Sequence, residues 1–428
     1  MTVQDERDHT MRRSTFVAVI ALVVTLPLGN VSLGPFQLVQ AMAFLAVATV
    51  ATVAAMQLWL PLPPWQIGLP LATMVVSAAL ASLGTPVPGV SLHMNVALAI
   101  GVLVLVAMWA VVDEAPRLIA VVSALVLAGG IVGVVSLASA GDLSTAAGGA
   151  IVRGRASGVF AQPNELGIFA AMLLPVALAL ALATSGLHRV AAGTGAVLVA
   201  AALTLSLSRG AWFGAAVGVL ALLVLLPERR RRVGTLVTGA AALGTLVLLL
   251  APPSMSSAVS QRVSSMITGD ENPYDERSEV YAEAARQIAD SPVVGQGPGA
   301  FSMTARGLTP DGYDLDISHA HSLVLVVATE YGVLGALALL GLGLGLAHVL
   351  RRSLWPRSGR PRGEAPQVTI VAAGLVAGLA AAFAHGVVDY PLRNPVSGMT
   401  AWLVLALTVA SVRCLQRPVP DLGEEGRA

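Results

Sequence analysis

The sequence predicts an all-α, polytopic membrane protein, a transmembrane bundle of about 12 helical spans with one large extracytoplasmic loop. Of the 428 residues, 56% are hydrophobic and only 11% are charged, whereas a soluble globular domain carries about 25% charged residues. Apolar runs of about 20 residues, each able to cross about 30 Å of hydrocarbon as a helix, recur along almost the whole chain. This composition excludes a soluble enzyme and indicates membrane lipid, not nucleic acid, as a partner.

The apolar runs divide the chain into spans and regions. The predicted spans are 14–33, 36–60, 65–84, 92–112, 117–138, 164–184, 189–207, 210–226, 233–251, 321–349, 367–388 and 397–414. We group them into N-terminal spans over 1–150, a core over 151–400 that includes the outer loop 252–320, and a last span with its tail over 401–428. The single cysteine, Cys414, excludes an intramolecular disulfide framework and a cysteine-ligated metal site.

Arginine placement predicts the orientation of the bundle, since lysine is absent and basic residues favour the cytoplasmic side. Arginine clusters flank the first, eighth, tenth and last predicted spans, at Arg12, Arg13, Arg229, Arg230, Arg231, Arg232, Arg351, Arg352, Arg357, Arg360, Arg362, Arg413 and Arg417. With about 12 spans, all these clusters fall on one side together with both termini. We therefore expect a plasma-membrane protein with cytoplasmic termini and an outward-facing loop 252–320.

The loop 252–320 is the long hydrophilic segment of the chain, and it is rich in aspartate and glutamate. Within it, Val280, Ala284 and Ile288 recur at the i, i+4, i+8 spacing of an amphipathic helix over 276–290. Pro292 ends this helix, and closely spaced glycines make the following turn. We expect the helix to lie across the mouth of the bundle.

A histidine motif, His319-Ala320-His321-Ser322, stands where this loop becomes the tenth span. A histidine at that boundary can act on a substrate held at the membrane surface. With an unperturbed pKa of about 6.5, its imidazole can take a proton from a hydroxyl near neutral pH. His321 is therefore the candidate catalytic base.

Two arginines at the same level are the candidates for binding phosphate. Arg209 occupies the minimal turn between the seventh and eighth spans, and Arg277 begins the loop helix. The planar guanidinium donates parallel hydrogen bonds that suit a pyrophosphate and can stabilise it as a leaving group. Further candidates for substrate binding are Arg153, Arg155, Asn164, His319, His385, Asp389 and Arg393. For Arg153 and Arg393, snorkelling or pairing with the acidic loop is an equally good interpretation.

Three expectations concern residues at or inside helix ends. Asn164 suits the N-cap of the sixth span. His385 and Asp389, four residues apart on one helical face, suit a carboxylate that orients an imidazole, although a solvated helix end has the same pattern. Glu330 lies half a turn out of phase with His321 and is expected to be structural, paired with an unidentified partner.

No pair of aspartates and no histidine–cysteine cluster in the sequence indicates a metal, so we expect neither a metal nor another cofactor. The chemistry implied is the transfer of a group from a diphosphate donor to a hydroxyl acceptor. A lipid-linked donor fits, because the site opens at the edge of the bilayer.

Four motifs, in this order, resemble those of the O-antigen ligase and polymerase superfamily of bacterial integral-membrane glycosyltransferases. They are the segment Gly158 to Gly167, the turn Ser208-Arg209-Gly210, the loop helix from Arg277 with its Asp290-Ser291-Pro292-Val293-Val294-Gly295-Gln296-Gly297 turn, and His321-Ser322 followed by Gly332-Val333-Leu334-Gly335. The resemblance covers about residues 150–400. The position after the histidine is often asparagine in the family and is Ser322 here.

The resemblance implies that His321 activates the acceptor hydroxyl, that Arg209 and Arg277 hold the pyrophosphate of a polyprenyl-linked glycan, and that Arg153 or Arg155 assists. It implies an inverting transfer of a preassembled glycan at the outer face of the plasma membrane, without a metal. The acceptor stays open and is a glycan, lipid or protein hydroxyl. The alternatives are a polysaccharide polymerase of the same superfamily, a polyprenyl-glycan flippase or transporter, and a peptidoglycan polymerase.

Overall fold

The computed structural model describes residues 15–34, 36–57, 61–139, 144–147, 150–153, 155–250, 257, 259–260, 263–264, 277–304, 319–354 and 366–416. The terminal arginines at 12, 13 and 417, those at 357, 360 and 362, and much of the loop 252–320 lie outside the described residues.

The described chain is almost entirely helical. Its helices are α1 (Thr15–Val24), α2 (Leu38–Gln57), α3 (Trp65–Ser82), α4 (Pro88–Val111), α5 (Ala115–Ala138), α6 (Pro163–Ala183), α7 (Gly186–Leu205), α8 (Arg209–Leu225), α9 (Arg230–Leu250), α10 (Arg277–Asp290), α11 (Phe301–Thr304), α12 (Leu323–Leu354), α13 (Pro366–Gly386) and α14 (Pro395–Gln416). Proline opens α4, α6, α13 and α14, where its missing N–H would have no helical partner and its fixed φ suits the first turn.

Each predicted span overlaps one of these helices. The first, 14–33, contains only the short α1, because a 3-10 turn at Leu26–Leu28 and a strand at Ser32–Leu33 follow it. That strand, β1, pairs antiparallel with β2 (Phe36–Gln37), and β3 (Ser144–Ala147) pairs antiparallel with β4 (Ala150–Arg153). These two short ribbons are the described departures from the predicted all-α fold.

Eight of the described helices are long and apolar enough to cross a membrane: α3, α4, α5, α6, α7, α12, α13 and α14. The pair Arg209–Leu225 and Pro227–Gly239 is bent by 103°, and counting it as one span raises the number to nine. Two shorter apolar helices, Thr15–Val24 and Leu38–Thr52, precede these spans. The chain is a multi-pass membrane protein, and the total of about 12 spans stays a prediction.

α6 lies at the centre of the bundle, since 94% of its membrane-length window is buried. α13 packs against α6 and α8, α7 packs against α5 and α6, and α14 packs against α4 and α13. These helices share one continuous cluster of buried apolar side chains. α12 packs mainly on α3, toward the edge of the bundle.

α12 is interrupted at Gly332, whose φ of 64° and ψ of −162° are not helical. A side chain at this position would collide with the carbonyl group of Val293, so the break requires glycine. The segment that approaches so closely is the outer turn, which we define as residues 291–300, between α10 and α11.

Backbone groups freed by the break find partners in other segments. The N–H groups of Gln296 and Gly297 donate to the carbonyls of Thr329 and Glu330, at 2.8 and 3.1 Å. The hydroxyl of Ser77 in α3 donates to the next carbonyl along α12, at 2.7 Å. Because irregular backbone is tolerated at membrane depth only where protein or water satisfies it, the outer turn is part of the packing of α12.

α10 occupies the position predicted for the loop helix. Val280, Ala284 and Gln287 face inward and are buried, while Ile288 is only partly covered. The buried face joins a small apolar cluster with Phe301 of α11 and with Ala320 and Val326 around the start of α12. α10 therefore packs directly beside the histidine motif.

Candidate functional site

A carboxylate lies between two histidines next to the start of α12 and the end of α13. The Asp389 Oδ1 atom is 3.6 Å from Nε2 of His319 and 3.7 Å from Nδ1 of His321. The two imidazole rings lie against each other, with centroids 4.3 Å apart. The fold thus joins three predicted site residues that come from two separate segments of the chain.

The electrostatics of this cluster favour an ionised carboxylate. Burial opposes the charge of Asp389, but contacts with His319 and His321 outweigh burial and hold the pKa of the carboxyl well below its usual range. For His319, burial is the largest effect and lowers the pKa of the imidazole, although the contact with Asp389 opposes it. A charged Asp389 and an uncharged His319 are therefore the expected neighbours of His321 at neutral pH.

His321 is the more accessible histidine, with 29% of its side chain exposed against 6% for His319. Its Nδ1 faces Asp389, so Nε2 is the ring nitrogen turned away from the carboxylate. Its φ of 46° lies in the left-handed region, which non-glycine residues seldom adopt. The Tyr281 hydroxyl of α10 donates to the His321 carbonyl at 3.5 Å, which ties α10 to this strained residue.

Ser322 has a local structural role at the position where the family often has asparagine. Its hydroxyl accepts the N–H of Leu325 at 3.5 Å, which is the N-cap arrangement that both serine and asparagine can provide. The difference from the family pattern therefore preserves the start of α12.

The same three side chains could also hold a metal ion. One ligand atom each from His319, His321 and Asp389 lies within 4.8 Å of the other two. Imidazole and carboxylate ligands suit several divalent transition metals. The expectation of no metal rested on the absence of a ligand cluster in the linear sequence, and the fold assembles such a cluster from distant segments.

The start of α8 lies close to this cluster. Leu207 has a φ of 49° in the tight turn before α8, and Arg209 is the half-buried first residue of the helix. A Cβ atom added to Gly210 would lie 3.3 Å from Cδ2 of His385, so the two helices touch here. Arg209 thus stands at a helix N-terminus, where the helix dipole also favours an anion.

His385 is not the partner of Asp389 that its spacing indicated. It is buried, and neither ring nitrogen has a hydrogen-bond partner among the described residues. The Asp389 carboxylate contacts His319 and His321 instead. The hydrogen bond between Asp389 and His385 joins the backbone N–H of Asp389 to the His385 carbonyl, at 3.0 Å. The predicted carboxylate–imidazole pair is therefore wrong, because tertiary contacts of Asp389 replace the local one.

Arg155 and Asn164 bind each other. The guanidinium of Arg155 donates to Oδ1 of Asn164 at 2.7 Å and to the carbonyl of Ser206 at 2.9 Å. Arg155 therefore connects the start of α6 with the turn that precedes Arg209. The predicted N-cap at Asn164 is wrong: α6 begins at Pro163, and Gln162 is its N-cap.

Glu165 and Asn394 belong to the same end of the bundle, and sequence reasoning did not select them as site residues. The amide of Asn394 donates to Oε2 of Glu165 at 3.1 Å, and Arg393 Nε lies 3.9 Å from Oε1. Glu165 and Arg393 line a narrow crevice together with His385 and Asp389. The available signal was an acid, Glu165, within the segment Gly158 to Gly167, since a buried carboxylate needs such partners.

The two remaining arginines differ in how the structure presents them. Arg277 is the first residue of α10, and its charge acts on His385. Arg277 is therefore on the side of the site where α8 and α13 meet. Arg153 lies in β4, and its side chain is outside the described part of the chain. Of the predicted residues, His319, His321 and Asp389 thus lie together, and His385 lies beside the start of α8 and within the influence of the Arg277 charge.

Comparison with known proteins finds a family match in the part of the chain that includes several of these residues. A family model described as O-Antigen ligase matches residues 194–340, the segment that includes Arg209, Arg277 and His321. No curated protein matches the chain. The match leaves Asp389 and the first six helices outside, so it covers less than the 150–400 that the motifs indicate. Over residues 194–340 the chain is similar to the O-antigen ligase family, which confirms the resemblance of the three motifs that lie within this segment.

Proposed function

We propose that this protein transfers a preassembled glycan from a polyprenyl-pyrophosphate donor to an acceptor hydroxyl, with His321 as the base. The observation that carries the proposal is the contact of His321 Nδ1 with Asp389, and we assign the binding of the diphosphate to Arg209 and Arg277. The family match supports a membrane glycosyltransferase of the ligase or polymerase kind. The donor, the acceptor and the residue roles are our proposal.

The Asp389 carboxylate favours the tautomer of His321 that can act as a base. A proton on Nδ1 faces the negative carboxylate, which leaves the lone pair of Nε2 free to accept a proton. The separation of 3.7 Å is longer than a hydrogen bond, and catalytic contacts of this kind commonly tighten only when substrate binds. Asp389 also stabilises the imidazolium ion that forms.

The transfer is a single displacement at the anomeric carbon of the donor. The acceptor hydroxyl gives its proton to Nε2 of His321, and its oxygen forms a bond to that carbon. The bond between the carbon and the diphosphate oxygen breaks, and the electron pair leaves with the polyprenyl diphosphate. Attack opposite the leaving group inverts the anomeric configuration, so the product is an inverted glycoside and His321 is left protonated.

The leaving diphosphate needs positive charge at the moment the bond breaks. Arg209 supplies a planar guanidinium at the N-terminus of α8, and Arg277 supplies a second one at the start of α10. No metal takes part in this scheme, because two arginines and a helix N-terminus can neutralise the diphosphate. Arg155 positions the neighbouring turn through Ser206.

Replacing Arg209 by alanine is expected to lower the rate of transfer by about 10²- to 10³-fold, the range found when one stabilising donor is removed from a developing charge. Lysine at this position is expected to restore only part of the activity, because it keeps the charge and loses the planar fork. The assay uses purified protein, a polyprenyl-pyrophosphate glycan and candidate acceptors, with detection of the glycosylated product.

Arg189→Ala is the matched control, since Arg189 stands near the start of α7, is exposed, and in the described part of the chain bonds only to the local Thr184 carbonyl. It is expected to behave like the unmodified protein. Full transfer by a folded Arg209→Ala variant would contradict the proposed binding of the donor diphosphate by Arg209.

The proposal places the site at the outer face of the plasma membrane with both termini in the cytoplasm. Ser278 is exposed on α10, and Ser278→Cys in a Cys414→Ser background gives a single reporter thiol. We expect a membrane-impermeant maleimide added to intact cells to label it. Labelling that occurs only after the cells are opened would reverse the orientation.

The rival functions make different predictions in the same assay. A polymerase of the superfamily would extend a polyprenyl-linked glycan and need no separate acceptor. A flippase or transporter would move the intact donor across vesicles without releasing polyprenyl diphosphate. Gathering of the polar residues at one end of the bundle favours transfer chemistry, since transporter sites lie near the bilayer midplane.

A further inference from the structure

We propose that Glu330 is a positioning residue, which fastens the outer turn and α10 beside His321 by accepting backbone N–H groups at the break in α12. The inference rests on the proposed function only where it concerns the rate of transfer. Its structural part, the attachment of α10, stands on contacts alone.

Glu330 is a buried acid within a membrane-length helix. Its carboxylate accepts the backbone N–H groups of Gly299 and Phe301, and its own carbonyl accepts the N–H of Gly297 at 3.1 Å. An acid at such depth is costly unless it has partners. Here the partners are amides of the outer turn and of α11, and they are the ones that the sequence left unidentified.

One of the residues that carry these amides, Phe301, also contacts α10. The carbonyl of Phe301 accepts the side-chain amide of Gln287, at 3.1 Å. The Phe301 ring is fully buried against Val280 and Ala284 of α10 and against Ala320 of the histidine motif. Releasing Phe301 therefore loosens both a hydrogen bond and the apolar contact that hold α10 in place.

α10 in turn touches the proposed catalytic residues. It begins with Arg277, and its Tyr281 hydroxyl donates to the His321 carbonyl. Glu330 itself lies about 10 Å along α12 from the first residue of that helix, Leu323, at a rise of about 1.5 Å per residue, and His321 precedes Leu323. It can therefore act on the reaction only through α10 and the outer turn.

To accept backbone N–H groups, residue 330 needs an acceptor oxygen but no negative charge. A residue that transfers a proton would instead have to be ionisable. Glutamine keeps a carbonyl oxygen with two lone pairs in nearly the same place. We expect Glu330→Gln to retain transfer within about threefold, and Glu330→Ala to lose about 10- to 100-fold, the range for buried N–H groups left without an acceptor. The loss in Glu330→Ala should include a higher KM for the donor, since Arg277 moves with α10.

Thr329→Val is the matched control, because among the described residues the Thr329 hydroxyl bonds only within its own helix, to the carbonyls of Leu325 and Val326. It is expected to keep full activity. If Glu330→Ala does not fold, Glu330→Asp carries the same prediction with a smaller loss, since its shorter chain cannot reach both amides.

A thiol reporter measures the attachment of α10 without any reaction. Ala284→Cys in a Cys414→Ser background puts a small thiol at a fully buried position of α10. We expect Glu330→Ala to speed its modification by a maleimide about tenfold or more, and Glu330→Gln to leave it slow. The assay is run on the full-length protein in detergent micelles.

Two outcomes would overturn the inference. One is that Glu330→Gln is as inactive as Glu330→Ala, which would assign an ionisable role. The other is that Glu330→Ala labels slowly and transfers normally. Full transfer by His321→Ala would instead refute the proposed function, and the labelling result would still stand.

Discussion

Replacing His321 by alanine is expected to lower the rate of glycan transfer by about 10³-fold, because the acceptor hydroxyl loses the group that takes its proton. Arg209 and Arg277 remain, so binding of the diphosphate donor should change little and the loss should fall on kcat. The measurement is steady-state transfer by purified variant and unmodified protein, with donor concentration varied. Transfer at the unmodified rate would contradict His321 as the base.

Two controls make this result specific. His348→Ala removes an exposed histidine from the opposite part of α12 and is expected to leave transfer unchanged. Dialysis against EDTA distinguishes a base from a metal ligand, since His319, His321 and Asp389 could hold a cation. We expect activity to survive chelation. A loss that zinc or manganese restores would contradict His321 as the base and would instead assign His319, His321 and Asp389 to holding a metal that would act as a Lewis acid.

Replacing Asp389 by asparagine is expected to lower kcat by about 10²- to 10³-fold, with a small change in KM for the donor. The amide is nearly the same size but carries no charge, so the imidazolium of His321 loses its stabilising partner. Asparagine can also donate a hydrogen bond to Nδ1, which would leave the proton on Nε2 and block the base. The kinetic measurement is the same transfer assay.

Asp113→Asn is the matched control for the loss of a buried carboxylate. Asp113 is buried at the other end of the bundle, in an ion pair with Arg117 at 2.9 Å. Its replacement should affect the melting temperature without lowering kcat. Equal losses of activity in the two variants would mean that Asp389 acts through stability and not through His321.

The helices could be predicted from the sequence to within a few residues at most ends. Long apolar runs determine them, and proline marks several starts, as at Pro163 and Pro395. Prediction failed at the first span, because the length of an apolar run does not reveal that Leu26–Leu28 leaves the α-helix. The break at Gly332 could not be predicted either, since its cause is the close approach of Val293 from another segment.

Candidate site residues can be selected from the sequence more easily than their contacts can. His321, Arg209 and Arg277 stand in motifs with characteristic spacing, whereas the contact of His321 with Asp389 depends on the packing of distant segments. Local spacing indicated His385 as the partner of Asp389, and tertiary contacts override it. Glu330 shows the same limit, because its partners are backbone amides, which carry no sequence signal.

The left-handed backbone of His321 has a consequence for selection and engineering. A non-glycine residue at a φ of 46° costs about 1 kcal/mol relative to glycine. A screen for heat resistance alone would therefore favour glycine or asparagine at this position, and a screen for transfer would favour histidine. Variants selected for higher stability should be sequenced at this position first, because a stabilising substitution of His321 would remove the catalytic base.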